Sequence, residues 1–144
     1  MIYFKKIWFL YITCFNIYLV NAKYSYIEGP FNNVIATPCG SFFGNKYACN
    51  VKIKDTDMVA AISNYQFSYS YHENNSYKIS DVCNRKIKII NIKNNKTIIV
   101  TIKDNYLNGK SGSLDLTKKA WNMLTSKDDI HQGHMNVNWE WIYT

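Results

Sequence analysis

The chain has 144 residues, 47% apolar and 19% charged, with 17 Lys and Arg against 10 Asp and Glu for a formal charge of +7. That length holds one domain around one core, and the apolar share excludes a disordered chain. Six glycines and two prolines exclude collagen-like, Pro-rich and Gly/Ser-linker architectures, and the wealth of Lys, Asn, Ile and Tyr is what AT-rich codons encode, so basic charge alone does not single out a nucleic-acid partner.

Lys5 and Lys6 precede Ile7 to Val20, a stretch without charge that is interrupted by Thr13 and Asn16. It is shorter than the roughly 20 apolar residues of a membrane span. Val20-Asn21-Ala22 then places a modest and a small residue where a signal peptidase reads, which predicts a signal peptide over residues 1–22, cut before Lys23. Its loss removes two basic residues and leaves 122 residues at +5. That charge favours contact with anionic glycans or surfaces by long-range steering. The scattered Lys52, Lys54, Arg85, Lys86, Lys88, Lys93, Lys96, Lys118 and Lys119 suit solvated faces of strands and a helix.

With Cys14 in the cleaved segment, Cys39, Cys49 and Cys83 remain, and in an oxidising compartment two of them pair in one of three possible ways. No spacing typical of structural zinc is present. His72, His131 and His134 read as solvent-exposed rather than as ligands, so no metal and no cofactor is expected. Asn74-Asn75-Ser76 and Asn95-Lys96-Thr97 are glycosylation sequons at Asn74 and Asn95.

In chain order, Val51–Ile53 and Met58–Ile62 read as short buried strands. Gln66 to Tyr77 reads as a strand or a Tyr-rich loop; Tyr65 just before it and Tyr69, Tyr71 and Tyr77 within it are candidate sugar platforms. Arg85–Ile92 alternates and Thr97–Lys103 is mostly β-branched; joined by Lys93–Lys96, they predict a hairpin. Leu116, Ala120 and Leu124 at four-residue spacing predict a short helix, with Asp115 or Thr117 as its N-cap. A polar loop with His131, Gly133 and His134 follows, then a strand over Val137–Tyr143 that turns Trp139 and Trp141 to one face. With Trp121, these read as core aromatics rather than sugar platforms. The sum is a mainly β secreted domain, closed into a barrel so that no edge is exposed.

Five segments in one order, Tyr47-Ala48-Cys49, Asp57–Ser63, Cys83–Ile87, Val100–Asp104 and Leu114–Thr117 before Ala120-Trp121, followed by Gly133 and Val137-Asn138-Trp139, resemble the double-psi β-barrel of the rare lipoprotein A, barwin and expansin-like group. The resemblance covers roughly residues 36 to 143. It implies a six-stranded double-psi barrel with one or two short helices over 36–144, an N-terminal extension over 23–35, and a Cys49–Cys83 disulfide. Two departures stand out: Asn105–Asn108 lacks the Cys-x-x-Cys the group often carries, and Ser113-Leu114 stands where expansins have His-Phe.

By that resemblance Asp115 matches the acid of the inverting glycosidases on this barrel, with Asp104 in support. Inversion needs a second carboxylate to activate water. The group's base lies on the first barrel strand, yet no Asp or Glu occurs between Glu28 and Asp55. The resemblance thus implies an expansin-like, non-hydrolytic protein that binds wall or coat polysaccharide through a groove of Thr101, Asp104, Asp115, Tyr69 and Tyr71. It is expected to be extracellular and monomeric, without nucleic acid or stable membrane insertion. The alternatives are a lytic transglycosylase or glycosidase using Asp115, in which one carboxylate serves as acid and then base, and an effector or inhibitor on the same barrel. The structural alternatives are helix capping for Asp115 and a turn contact for Asp104.

Overall fold

The computed structural model describes residues 29–40, 47–68 and 80–143. The signal peptide expected over residues 1–22, together with Tyr69, Tyr71, His72, Asn74 and Tyr77, lies outside the described residues. Six strands close a barrel: β1 (Phe31–Pro38), β2 (Val59–Ser63), β3 (Lys86–Asn91), β4 (Thr97–Tyr106), β5 (Leu114–Leu116) and β6 (Met135–Ile142), in the order β1-β5-β2-β4-β3-β6. The pairs β1/β5 and β2/β4 are parallel and the other four antiparallel, which is the double-psi arrangement. Among the described residues no helix is long and apolar enough to cross a membrane.

Alternation decides which side chains fill the barrel. Ile87 and Ile89 of β3, Ile98, Val100 and Ile102 of β4, Leu114 and Leu116 of β5, and Met135, Val137, Trp139 and Trp141 of β6 are all buried, as period-2 strands require. The expected hairpin is β3–β4, closed at Asn91 N–H to Lys96 O (2.9 Å), with Asn95 in the left-handed region at φ 57°. Asn95 is exposed, so its sequon is reachable. The expected Cys49–Cys83 disulfide is present, with Cα atoms 5.6 Å apart.

Four elements depart from the expectations. β1 begins at Phe31, so residues 31–35 are barrel strand and not extension. Val51–Ile53 is no strand: Lys54 and Asp57 close a turn right after it through Asp57 N–H to Lys54 O and Lys54 N–H to Asp57 Oδ2. At the start of the stretch expected as a strand or Tyr-rich loop, a short helix α1 (Asn64–Ser68) forms, and residues 69–77 of that stretch lie outside the described residues. It buries Phe67 and Gln66, and the Gln66 amide accepts from Gly112 N–H and donates to Ser111 Oγ. Helix α2 (Lys118–Leu124) lies as expected, but Asp115 is in β5 and does not cap it. Thr117 takes the N-cap position without a side-chain cap, its hydroxyl donating instead to Asp57 O at 2.6 Å.

The fourth departure is α3 (Lys127–Gln132), where a loop was expected. Ser126 and Asp129 form a reciprocal capping box, and Gly133 ends the helix at φ 68°. Asp129 is buried beside Asn91, whose amide donates to its Oδ2 at 2.9 Å. Burial pushes its carboxyl up, but hydrogen bonds from the Ser126 hydroxyl and backbone and from Asn91, with Lys93 nearby, outweigh this and hold it below the usual range. A lowered carboxylate contributes stability above its unfolded value and loses it as the pH falls through the folded one. Urea midpoints are therefore expected to fall between pH 5 and pH 2 more steeply for the wild type than for Asp129→Asn; parallel curves would contradict this.

Candidate functional site

Asp115 projects from the outer face of β5, between the inward Leu114 and Leu116. Its register partners are Thr37 on β1 and Ala61 on β2, and Ala61 is in turn paired with Asp104 on β4. Thr37, Asp115, Ala61 and Asp104 therefore form one row across four neighbouring strands, and side chains in one row share a face. Ala61, the smallest side chain of the row, is all that separates the two carboxylates.

Asp104 reaches that face only because of a bulge. Along β4 the even-numbered Ile98, Val100 and Ile102 point inward, so unbroken alternation would bury Asp104 with them. The register instead jumps from Ala60↔Ile102 to Ala61↔Asp104, leaving Lys103 as an extra residue that turns Asp104 outward. Its Oδ1 accepts Ala48 N–H at 2.8 Å, while Cys49 N–H donates to Lys103 O at 3.3 Å. The bulge thus also anchors the segment that carries the Cys49–Cys83 disulfide.

Asp115 is half-buried, and its Oδ1 accepts the Thr37 hydroxyl at 2.8 Å. Burial pushes its carboxyl above the usual carboxylate range; hydrogen bonds from Thr37 and the Cys39 thiol pull the other way, and the charge of Asp104 adds to the rise. Tyr47 stands close by, its phenol pushed up by burial and by the charges of Asp104, Cys39 and Asp55. A carboxyl that keeps its proton longer than usual, beside a second carboxylate, can donate as well as accept hydrogen bonds to hydroxylated ligands.

The structure thus brings Asp104 and Asp115 together and adds Thr37, Cys39, Tyr47 and Ala61. Thr101 lies on the same outer face of β4 but in the neighbouring row, between Val59 and Lys86. Neither capping nor a turn contact accounts for Asp115 or Asp104, since one hydrogen-bonds across strands and the other to a distant loop amide. Trp121, Trp139 and Trp141 are buried and offer no open sugar platform, whereas Tyr65 is exposed. Among the described residues no cluster of three or more His, Cys, Asp or Glu could hold a metal ion. Nothing in the sequence singles out Thr37 and Cys39, which sit near the end of β1 and just past it.

An expansin from Clavibacter michiganensis, solved as a point mutant with cellohexaose, superimposes with a TM-score of 0.57 at 19% identity, covering 78% of this chain and 50% of its own. The present chain therefore spans half the length of that protein. A Streptomyces papain inhibitor superimposes with a TM-score of 0.59 at 17% identity over 81% of this chain and 97% of its own. Cerato-platanin 3 from M. perniciosa gives 0.52 at 16% identity, over 76% and 93%. Identities this low establish the shared barrel. A search of curated proteins returns no significant match. The Barwin family profile matches residues 20–143, nearly the whole chain, and the chain belongs to that family.

Proposed function

We propose that this is a secreted, non-hydrolytic, expansin-like protein that binds polysaccharide of an extracellular wall or coat through the outer row of Thr37, Asp115 and Asp104, with Thr101 beside it. The observation that carries this reading is the pairing of two carboxylates across Ala61 on one face. Charged carboxylates hydrogen-bond sugar hydroxyls strongly, each such bond contributing about 1.5–3 kcal/mol. The cellohexaose held by the expansin with this barrel supports the ligand class.

The non-hydrolytic part of this reading is supported by what β1 offers. Inverting hydrolysis needs a base facing the acid across a water molecule. Residue for residue, β1 reads Phe-Asn-Asn-Val-Ile-Ala-Thr-Pro, and the position beside Asp115 is Thr37, whose hydroxyl donates to the acid and cannot act as a carboxylate base. Asp104 comes from the other side with one oxygen committed to Ala48 N–H. The expected signal peptide, the Cys49–Cys83 disulfide and the exposed Asn95 sequon support secretion.

The raised Asp115 carboxyl favours one competing reading, a lytic transglycosylase in which Asp115 alone protonates the leaving oxygen and then removes a proton from the substrate's own hydroxyl. Incubation of the secreted protein with insoluble cellulose, chitin, β-glucan and peptidoglycan separates the two. Retention on at least one polymer with no soluble sugar released is the expected result; release of anhydro-sugar ends makes the protein an enzyme, and retention on none removes the glycan reading.

A further inference from the structure

Arg85 stands where the Cys49–Cys83 disulfide meets the start of β3. Its guanidinium carbon lies 4.0 Å from the centroid of the Trp141 ring and 5.8 Å from that of Tyr143. Trp141 is buried and Tyr143 exposed, so the guanidinium rests on a fixed ring with a solvent-facing ring beside it. Its backbone is held on both sides, by Arg85 N–H to Val82 O at 3.2 Å and Ile102 N–H to Arg85 O at 2.9 Å. Among the described residues the ion pairs are Lys88–Glu140 and Lys93–Asp128, and no carboxylate meets Arg85.

Arg85 lines a recess of about 400 Å³ with Cys83, Asn84, Lys86, Ile142 and Tyr143. Among the described residues that lining holds no acidic side chain. Asn84 is held in the left-handed region at φ 68° and its amide oxygen is taken by the Lys103 ammonium. A guanidinium cannot shed its charge and offers five donors in a planar fork. Half-buried, stacked and without a carboxylate partner among the described residues, it is preset to grip an oxyanion.

We propose that this recess is a subsite for the anionic substituent, carboxylate or sulfate, of an acidic sugar. Arg85 grips the oxyanion, Lys86 adds charge, and the Tyr143 ring lies against a C–H face of the sugar. This deepens the polysaccharide reading and rests on it for the sugar part of the ligand. The two sites are physically joined. Lys86 is in register with Thr101, and Asp104 holds Ala48, whose neighbour Cys49 is bonded to Cys83. Asp104 and Asp115 would repel an anionic unit, so a positive recess beyond Thr101 gives that unit a place apart from them.

The test titrates the secreted protein with trigalacturonate, a sulfated trisaccharide and neutral trigalacturonate methyl ester, in wild type, Arg85→Gln and Arg85→Lys. Arg85→Gln is expected to weaken at least one anionic sugar by about tenfold or more, Arg85→Lys by less, and neither to change the methyl ester. The anionic arm that binds more tightly identifies the substituent. Equal affinity of wild type and Arg85→Gln for both anionic sugars overturns the subsite, as does an equal loss for the methyl ester. Should Arg85→Gln not fold, the Arg85 Nε–H resonance of the wild type decides: it must move on adding trigalacturonate or the sulfated trisaccharide, and a resonance that stays static with both overturns the proposal. Failure of the polysaccharide reading shows differently, as neutral cellohexaose failing to bind while the Arg85 resonance still moves.

Discussion

Trp139→Ala is expected to remove most of the stability of the barrel. The indole is 2% exposed, stacks on Phe31 at 4.2 Å between centroids and meets Trp141 edge-on at 5.3 Å. Truncating a buried Trp to Ala costs about 3–5 kcal/mol through lost burial and the cavity left behind. Here a second penalty applies. The indole N–H donates to Gly112 O at 2.7 Å in a buried position, and an orphaned buried carbonyl costs about 1–3 kcal/mol more. Gly112 cannot adjust easily, since it sits at φ +78° with the Phe31 and Val34 side chains under 3 Å from where a Cβ would stand. Domains of this size are stable by only about 5–15 kcal/mol. Urea unfolding followed by far-ultraviolet circular dichroism should show a loss of at least about 4 kcal/mol, and Trp139→Phe, which keeps a ring against Phe31, should lose less. A loss below about 1 kcal/mol would contradict the packing described.

The parts of the fold that the sequence made legible are those in which apolar period and strand period coincide. Ile87 and Ile89 against Lys86 and Lys88, and the alternating tail through Trp139 and Trp141, admit one inward face, so β3, β4 and β6 could be read directly. β2 was legible as a short apolar run. β1 was not, because its register shifts between Phe31 and Val34, where Asn33 takes φ 54°, and the strand then carries no clean alternation. α3 was hidden for another reason: Lys127–Gln132 has no apolar period, and its capping box uses Asp129 in place of the usual Glu or Gln.

The candidate site divides in the same way. Asp104 and Asp115 could be named from the order of motifs, but that order says nothing of how Asp104 faces Asp115. The single extra residue at Lys103 decides that, and a bulge leaves no mark in composition. Thr37 and Cys39 were missed because the strand that ends beside them was unrecognised. Tyr69 and Tyr71, named as platforms, lie outside the described residues.

Asp115→Asn is expected to weaken glycan binding by about tenfold or more, the loss of one charged hydrogen bond worth about 1.5–3 kcal/mol, without lowering stability. The two halves of that expectation have separate physical causes. The amide oxygen of Asn can still accept the Thr37 hydroxyl, so the link between β1 and β5 survives. The wild-type carboxyl is raised above its unfolded value, chiefly by burial, so its ionisation costs folding free energy as the pH rises through that window. Asn carries no such cost. At pH 7 the variant should therefore unfold at an equal or higher urea concentration than the wild type, and any advantage should shrink as the pH falls through the raised folded value and be gone below about pH 4, the unfolded carboxyl's own range. A helix cap would behave in the opposite sense, losing about 1 kcal/mol of stability and leaving binding unchanged.

Calorimetric titration of wild type and Asp115→Asn with cellohexaose at pH 7, with soluble sugar assayed in the same samples, tests most directly the claim that the two-carboxylate face binds glycan without cleaving it. The expected result is measurable wild-type binding, at least about tenfold weaker binding by the variant, and no sugar released by either. Equal affinity of the two proteins would place the glycan elsewhere on the barrel, and sugar release by the wild type that vanishes in Asp115→Asn would make Asp115 a catalytic acid.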